Sequence, residues 1–366
     1  MKLTSISAKP LAIPFKTAFR HSSAERATTQ TFWVEAAGEG RIGYGESCPR
    51  EYVTAESLES AAAFFSVHRA RWCDSVRDLP TLQAWCDRNS DEIERNPAAW
   101  CAVEIALLDL IGKVEQQSIE ALLGLPELEG KFCYTAVVGD APPAQFEAQL
   151  EQYIKAGFRN FKIKLSGDKP RDVSKVRALA SAGLTGESVR ADANNLWASA
   201  EAAIRELEAL QYAFRALEEP LHVGDYAGMN RIVEALDTQI ILDESLLRAA
   251  QLDHVNEHPE HWIVNLRVSK MGGLLRSLSM VSELRRRGLG LIIGAQVGET
   301  SVLTRAALTV ASVARDILIA QEGAFGTHLL ARDVVDASLM FGPGGVLDTA
   351  TAALNTAGLG LCVHIA

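Results

Sequence analysis

FKIKLSGDKPRDVSKVRALASAGLTGESVRAD, residues 161–192, holds two short strand-like runs, FKIKLSG and SVRAD, separated by a stretch of helix length. Strand, helix, strand in that compass is the βαβ unit of a parallel sheet. The same texture recurs on either side. After Gly130 the runs CYTAVVG, FKIKLSG, SVRADAN, AFRALEEP, QIILDES, WIVNLRVSK, GLGLIIGAQVG and DILIAQEG alternate with helix-length segments. Their ends fall near Gly139, Lys164, Asp192, Glu218, Asp243, Lys270, Gln296 and Glu322, always 25 to 28 residues apart. So regular a period predicts a closed (β/α) barrel and not an open doubly wound sheet.

Upstream, strand and helix mix. ISAKPLAIPF and TQTFWVEA read as strands, GEGRIGYGES as a glycine-rich hairpin, and AESLESAAAFFSVHRARW as a helix. PAAWCAVEIALLDLIGKVEQQSIEALLG, Pro97 to Gly124, predicts a long buried helix ending near Lys113 and a short one stopped by Gly124. The expected division is 1–128, an N-terminal α+β domain; 129–338, the barrel; and 339–366, a tail that returns to the N-terminal domain.

Bulk properties narrow the function. Apolar residues make up 48% of the 366 and charged ones 22%, as in a soluble globular enzyme. The net charge, 36 − 46 = −10, disfavours nucleic acid or an anionic membrane as partner. The opening MKLTSISAKPLAIPF lacks an apolar h-region and no run of about 18 apolar residues occurs, so neither a secretory signal nor a membrane span is expected. The six scattered cysteines read as buried thiols of a cytoplasmic protein.

Active sites of such barrels lie at the C-terminal strand ends. Those ends supply Lys164, Asp192, Glu218, Asp243, Lys270 and Glu322. A single strand-end aspartate is usually a turn former or helix cap, and a single lysine a solvated charge. Recurrence at one structural phase points instead to a site. Asp192, Glu218 and Asp243, acids of three consecutive strands with no imidazole or thiolate, suit Mg²⁺; Glu219 competes with Glu218. Positive neighbours should lower the pKa of Lys164 and Lys270, so that each can act as a base. They flank the acids from nearly opposite sides and could serve two faces of one carbon α to a carboxylate. Lys162 is expected to depress Lys164 and to reach a substrate oxygen.

FKIKLSG, RADANNLW, LEEPL, LDES and NLRVSKMGGL, with PFKTAF, GRIGYGES and AVEIALLDLIGK upstream, resemble the enolase superfamily, specifically its muconate lactonizing enzyme subgroup. The resemblance covers nearly the whole chain. It implies a (β/α)7β modified TIM barrel with an α+β capping domain whose loops choose the substrate. It also implies Lys164 and Lys270 as the acid/base pair, Asp192, Glu218 and Asp243 on Mg²⁺, preference for Glu218 over Glu219, and by analogy a homo-oligomer. Candidate substrate contacts are Arg20 in FKTAFRHSSAER, Tyr52 in CPREYV, Arg267, Gln296, Glu322 and Lys162.

This sequence departs from the family pattern at Arg267, where a lysine is usual, and on the eighth strand. There IAQEGAFG offers Glu322 where dipeptide epimerases carry Asp-x-Asp. IIGAQVGE also lacks the histidine of the mandelate racemase subgroup. The favoured reaction is racemisation or epimerisation of an amino-acid derivative or dipeptide. Muconate-type cycloisomerisation, o-succinylbenzoate-type dehydration and carboxylate binding without turnover stand as alternatives. In HVNEHPEHW, Pro259 breaks the helix that would align His254, His258 and His261, which predicts solvated histidines.

Overall fold

The computed structural model describes residues 1–21, 24–352, 354 and 356–364, with the side chains of 17–21, 24 and 25 outside that description. Eight short parallel strands, Ala136–Val138, Phe161–Lys164, Val189–Asp192, Ala216–Glu218, Gln239–Leu242, Trp262–Leu266, Gly290–Ile293 and Leu318–Gln321, pair in chain order. A parallel bridge between Tyr134 and Gln321, with Thr135 N donating to the Gln321 carbonyl at 2.8 Å, joins the first strand's lead-in to the eighth. The architecture is the expected barrel with its α+β cap. Helices cover the outside and side chains fill the inside, so the strands are buried over most of their length.

Along each strand the interior changes character. Ala216, Ile241, Ile263 and Ile292 meet in one apolar cluster with Ile319 and Ala320 packed against it. Ala216 precedes Glu218 by two residues and Ile263 precedes Asn265 by two, so each pair shares the inward face. An apolar floor thus underlies a polar mouth.

Two expectations fail locally. The sixth strand ends at Leu266, and Lys270 sits not at a strand end but on one helical turn, Val268–Met271, closed by Gly272 at φ +85°. The apolar run VSKM fits strand or helix equally, and glycines at 272 and 273 favour the turn. The fifth crossover is not an α-helix. It consists of 3₁₀ turns, Ala249–Val255 and Pro259–His261, as Pro259 dictates.

In the cap, Leu3–Leu11, Thr31–Gly38 and Arg41–Ser47 form an antiparallel sheet with Thr31–Gly38 in the middle. The run ISAKPLAIPF therefore divides, a second strand starting at Pro14. FKTAFRHSSAER, expected as a loop, lies on two paired antiparallel strands, Pro14–His21 and Ala24–Thr28, apart from residues 22 and 23, which are outside the described residues. The helix Pro97–Glu115 lies directly on Arg41–Ser47. A Cβ at Gly45 would stand 1.9 Å from the Ala102 carbonyl oxygen, and one at Gly43 2.2 Å from that of Ala106. The glycines of GRIGYGES let helix and strand backbones touch.

The tail pairs Val346–Asp348 with Lys131–Cys133 and then meets the long cap helix, Leu359 N donating to Asp109 Oδ1 at 2.8 Å. Cap and barrel are also sewn together by buried polar groups. Glu46 accepts from Thr300 N (2.9 Å), Thr300 Oγ1 (2.6 Å) and Leu303 N (3.2 Å) at the start of the helix Ser301–Val313. Burial pushes the Glu46 carboxyl up to about 7 although these hydrogen bonds pull the other way. Arg50 donates to the Val297 carbonyl at 2.9 Å, and Cys48 N to Ser269 Oγ at 2.9 Å. Of the cysteines, Cys48 and Cys101 are buried as expected, but Cys133 and Cys362 are exposed. No helix among the described residues is long and apolar enough to cross a membrane.

Candidate active site

At the mouth, in-register pairing sets Lys164, Asp192 and Glu218 side by side on adjacent strands, and the tips of neighbouring strands add the rest. Lys164 Nζ donates to Asp192 Oδ2 and to Asn194 Oδ1, both at 2.8 Å. Burial opposes ionisation of Asp192, but Lys164 and Lys162 outweigh it and hold the carboxyl at about 2.

Across the barrel, the turn Val268–Met271 points Lys270 back inward. Its Nζ donates to the carbonyls of Asp243 and Asn265, each at 2.7 Å, and to Asp243 Oδ1 at 2.9 Å. Burial, and then the Arg267 guanidinium, lower this amine to about 7. Lys270 thus meets the expectation of a depressed lysine.

Lys162 does the opposite. Its Nζ donates to Glu218 Oε2 at 2.8 Å and Glu322 Oε2 at 2.5 Å, bridging the fourth and eighth strands across the interior. Burial alone would lower its pKa, yet Glu218, Glu322 and Asp192 together raise it above the ordinary lysine value. Strand alternation shows that Lys162 faces inward, but not that Glu218 and Glu322 wait opposite it. Arg190 completes the group, its Nη2 2.6 Å from Thr135 Oγ1 and 3.4 Å from Glu322 Oε1.

Glu218 and Glu219 separate cleanly. Glu218 faces the interior, accepting from Asn265 Nδ2 at 3.0 Å as well as from Lys162. Glu219, at φ +40°, turns away and ties down the next strand's loop through Asp243 N (2.7 Å), Ser245 N (2.8 Å) and Ser245 Oγ (2.7 Å). Arg267 ion-pairs with Asp243 Oδ2 and donates to Gln296 Oε1 at 3.1 Å.

Asp192, Glu218 and Asp243 are thus each paired with a cation of the chain, and their oxygens are not among those gathered within 4.8 Å of one another. The donor set, three carboxylates from three consecutive strand ends, fits a hard divalent cation. Above it opens a cavity of about 1240 Å³ whose walls include Tyr52, Lys164, Glu244, Gln296, Phe325 and Phe341. Tyr52, 40% exposed, reaches this cavity from the cap, with Arg26 5.6 Å over its ring. The Arg20 side chain lies outside the described residues.

Sequence reasoning missed Asn194, Arg190, Asn265 and Glu244. Arg190 was legible as the residue two before Asp192, on the same face. Asn265 was legible as the one polar residue of WIVNL.

Residues 145–364 match the family model described as Enolase C-terminal domain-like. The chain is 27% identical to the L-Ala-D/L-Glu epimerase of Bacillus subtilis over 312 residues, 84% of each protein. It is 25% identical to the N-succinyl-L-Arg/Lys racemase of Bacillus cereus, over 85% of this chain and 84% of that one. The crystal structure of the dipeptide epimerase from Methylococcus capsulatus complexed with Mg ion superposes with a TM-score of 0.81 at 25% identity, covering all of both chains.

Proposed function

The chain belongs to the enolase C-terminal domain-like family, and on that premise we propose that it is an isomerase which removes and returns the proton α to a carboxylate, racemising or epimerising an amino-acid derivative or dipeptide. The observation that carries this reading is the position of two buried amines. Lys164, at the end of the second of eight strands, and Lys270, on the turn that follows the sixth, flank three carboxylates from opposite sides of the barrel. One lysine, as neutral amine, accepts the α-proton while the carbon flattens to an enediolate. The other, as ammonium, donates a proton to the opposite face. The product is the inverted centre, with the two lysines exchanged in protonation. Asp192, Glu218 and Asp243 would hold Mg²⁺, whose charge offsets the second negative charge that builds on the substrate carboxylate.

The other side chains position and balance. Glu219 holds the Asp243–Ser245 loop, and Asn265 orients Glu218. Lys162 keeps Glu218 and Glu322 from repelling across the interior. Phe325 and Phe341, rings 5.4 Å apart at 75°, wall the cavity beside Tyr52 and support an apolar group on the substrate. The curated relatives, named for a dipeptide and an N-succinyl amino acid, support the same substrate class.

The test incubates single-handed dipeptides and N-acyl amino acids with enzyme and Mg²⁺ in D₂O. Deuterium should enter the α-position of both configurations. Lys164→Ala and Lys270→Ala should each slow interconversion by roughly 10²- to 10⁴-fold. Each should keep α-exchange only for the hand that faces the surviving lysine. Full turnover in both variants, or loss of water in place of exchange, refutes the assignment.

A further inference from the structure

The fifth crossover carries a second group of ligating side chains. Pro259 opens the 3₁₀ turn Pro259–His261 with His258 at its N-cap. In a 3₁₀ turn residues i and i+3 eclipse, so the proline that rules out a helical histidine array brings His258 and His261 together. Their rings stack 4.9 Å apart at 18°. Glu260 Oε1 lies 3.3 Å from His258 Nδ1 and 3.9 Å from His261 Nε2. Among the described residues this is the one group of three ligand-type side chains whose atoms all fall within 4.8 Å of one another. His254 stands apart, stacked on Tyr226 at 4.7 Å.

A neighbour outside the cluster orients it. His261 Nδ1 is 2.7 Å from Asn230 Oδ1 on the helix Tyr226–Leu236, and Asn230 Nδ2 donates to Glu234 Oε1 at 2.8 Å, which fixes the amide's direction. Oδ1 can only accept, so His261 Nδ1 carries a proton, and Nε2, which faces Glu260, is the ring nitrogen left to bind an ion in the neutral ring. Such an outer partner is what metal-ligating histidines use to fix their tautomer.

We propose that His258 Nδ1, Glu260 Oε1 and His261 Nε2 bind a borderline first-row divalent cation, Zn²⁺ or Ni²⁺, leaving further positions to water. Bonds of about 2.0–2.2 Å put neighbouring tetrahedral ligands roughly 3.4 Å apart. The two Glu260 edges, 3.3 and 3.9 Å, are close to that value, and only the histidine–histidine edge has to close. His258 and Glu260 are exposed, so small rotations suffice. Two imidazoles select against Mg²⁺. The cluster precedes the sixth strand and so lies at the opposite end of the barrel from Lys164 and Asp192. The ion clips the crossover built of 3₁₀ turns to the helix Tyr226–Leu236 through Asn230, a structural role separate from turnover.

The test uses untagged full-length protein, exposed thiols alkylated, in excess Mg²⁺ to fill the oxygen site. Titrating with Ni²⁺ by calorimetry should show one further equivalent, and Ni²⁺ should raise the thermal midpoint. His258→Ala and His261→Ala should each weaken binding at least tenfold and lose the thermal shift, with unchanged circular dichroism. His254→Ala should bind as the parent does. No additional equivalent in the parent protein, or undiminished Ni²⁺ binding in both histidine variants, overturns the proposal.

Discussion

Glu46→Gln should remove a pH dependence from folding stability. The side chain is fully buried where the cap strand Arg41–Ser47 meets the helix Ser301–Val313, and its carboxyl is raised from an ordinary 4.5 to about 7. A raised acid works against stability at high pH. Between pH 4.5 and 7 the folded protein keeps a proton that the unfolded chain has released, so stability falls as pH rises. The contribution is fully present below 4.5 and gone above 7. At about 1.4 kcal/mol per unit, the span of roughly 2.5 units amounts to ~3.5 kcal/mol.

Glutamine copies the protonated acid, with one accepting oxygen and one donating group, and does not titrate. Any cost of fitting its amide against Leu303 N is the same at every pH. Other buried acids titrate in both proteins and cancel in the difference. The assay is urea unfolding of parent and variant at pH 4.5, 6 and 8. Relative to the variant, the parent's midpoint should fall by about 1 M across that range, taking a slope near 3 kcal/mol/M. A difference that stays flat would mean that hydrogen bonds to Thr300 and Leu303 keep Glu46 ionised and that burial loses.

Gly45→Ala should cost about 3 kcal/mol or more in the same assay, since its methyl would fall 1.9 Å from the Ala102 oxygen; an unchanged midpoint would mean that the cap helix is free to shift. Glu120→Ala strands the Arg305 guanidinium, now held at 2.9 and 2.7 Å with both partners buried, and should cost ~3–5 kcal/mol, most of it recovered when Arg305→Met is added. A loss below 1 kcal/mol in the single variant would contradict this. Chelation by EDTA should stop α-proton exchange and Mg²⁺ restore it, with circular dichroism unchanged throughout; exchange that persists in EDTA would remove the cation from the reading.

The barrel was legible because its strands are buried on both faces and recur at one spacing, and six residues assigned to strand ends face one mouth. The signal faded where chemistry was local but partners were distant. Four residues past Leu266, a helical turn brings Lys270 inward, and no period distinguishes VSKM as strand or turn. The family resemblance favoured Glu218 over Glu219, but the physical reason, a positive φ at Glu219 and its hold on Ser245, is not contained in a strand pattern. The Lys162 bridge to Glu322 spans 160 positions and depends on closure of the whole cylinder. Proline at 259 was read correctly as a helix breaker, yet the tighter turn it allows was not foreseen.

Arg50 and Glu46 grip the segment that follows the seventh barrel strand at Val297 and Thr300, one side chain to a carbonyl and the other to an amide and a hydroxyl. Anyone grafting a relative's cap onto this scaffold to change what it accepts would cut through that grip. A chimera that leaves residues 297–303 behind inherits orphaned donors at the seam, whereas moving them along with the cap transplants the joint intact.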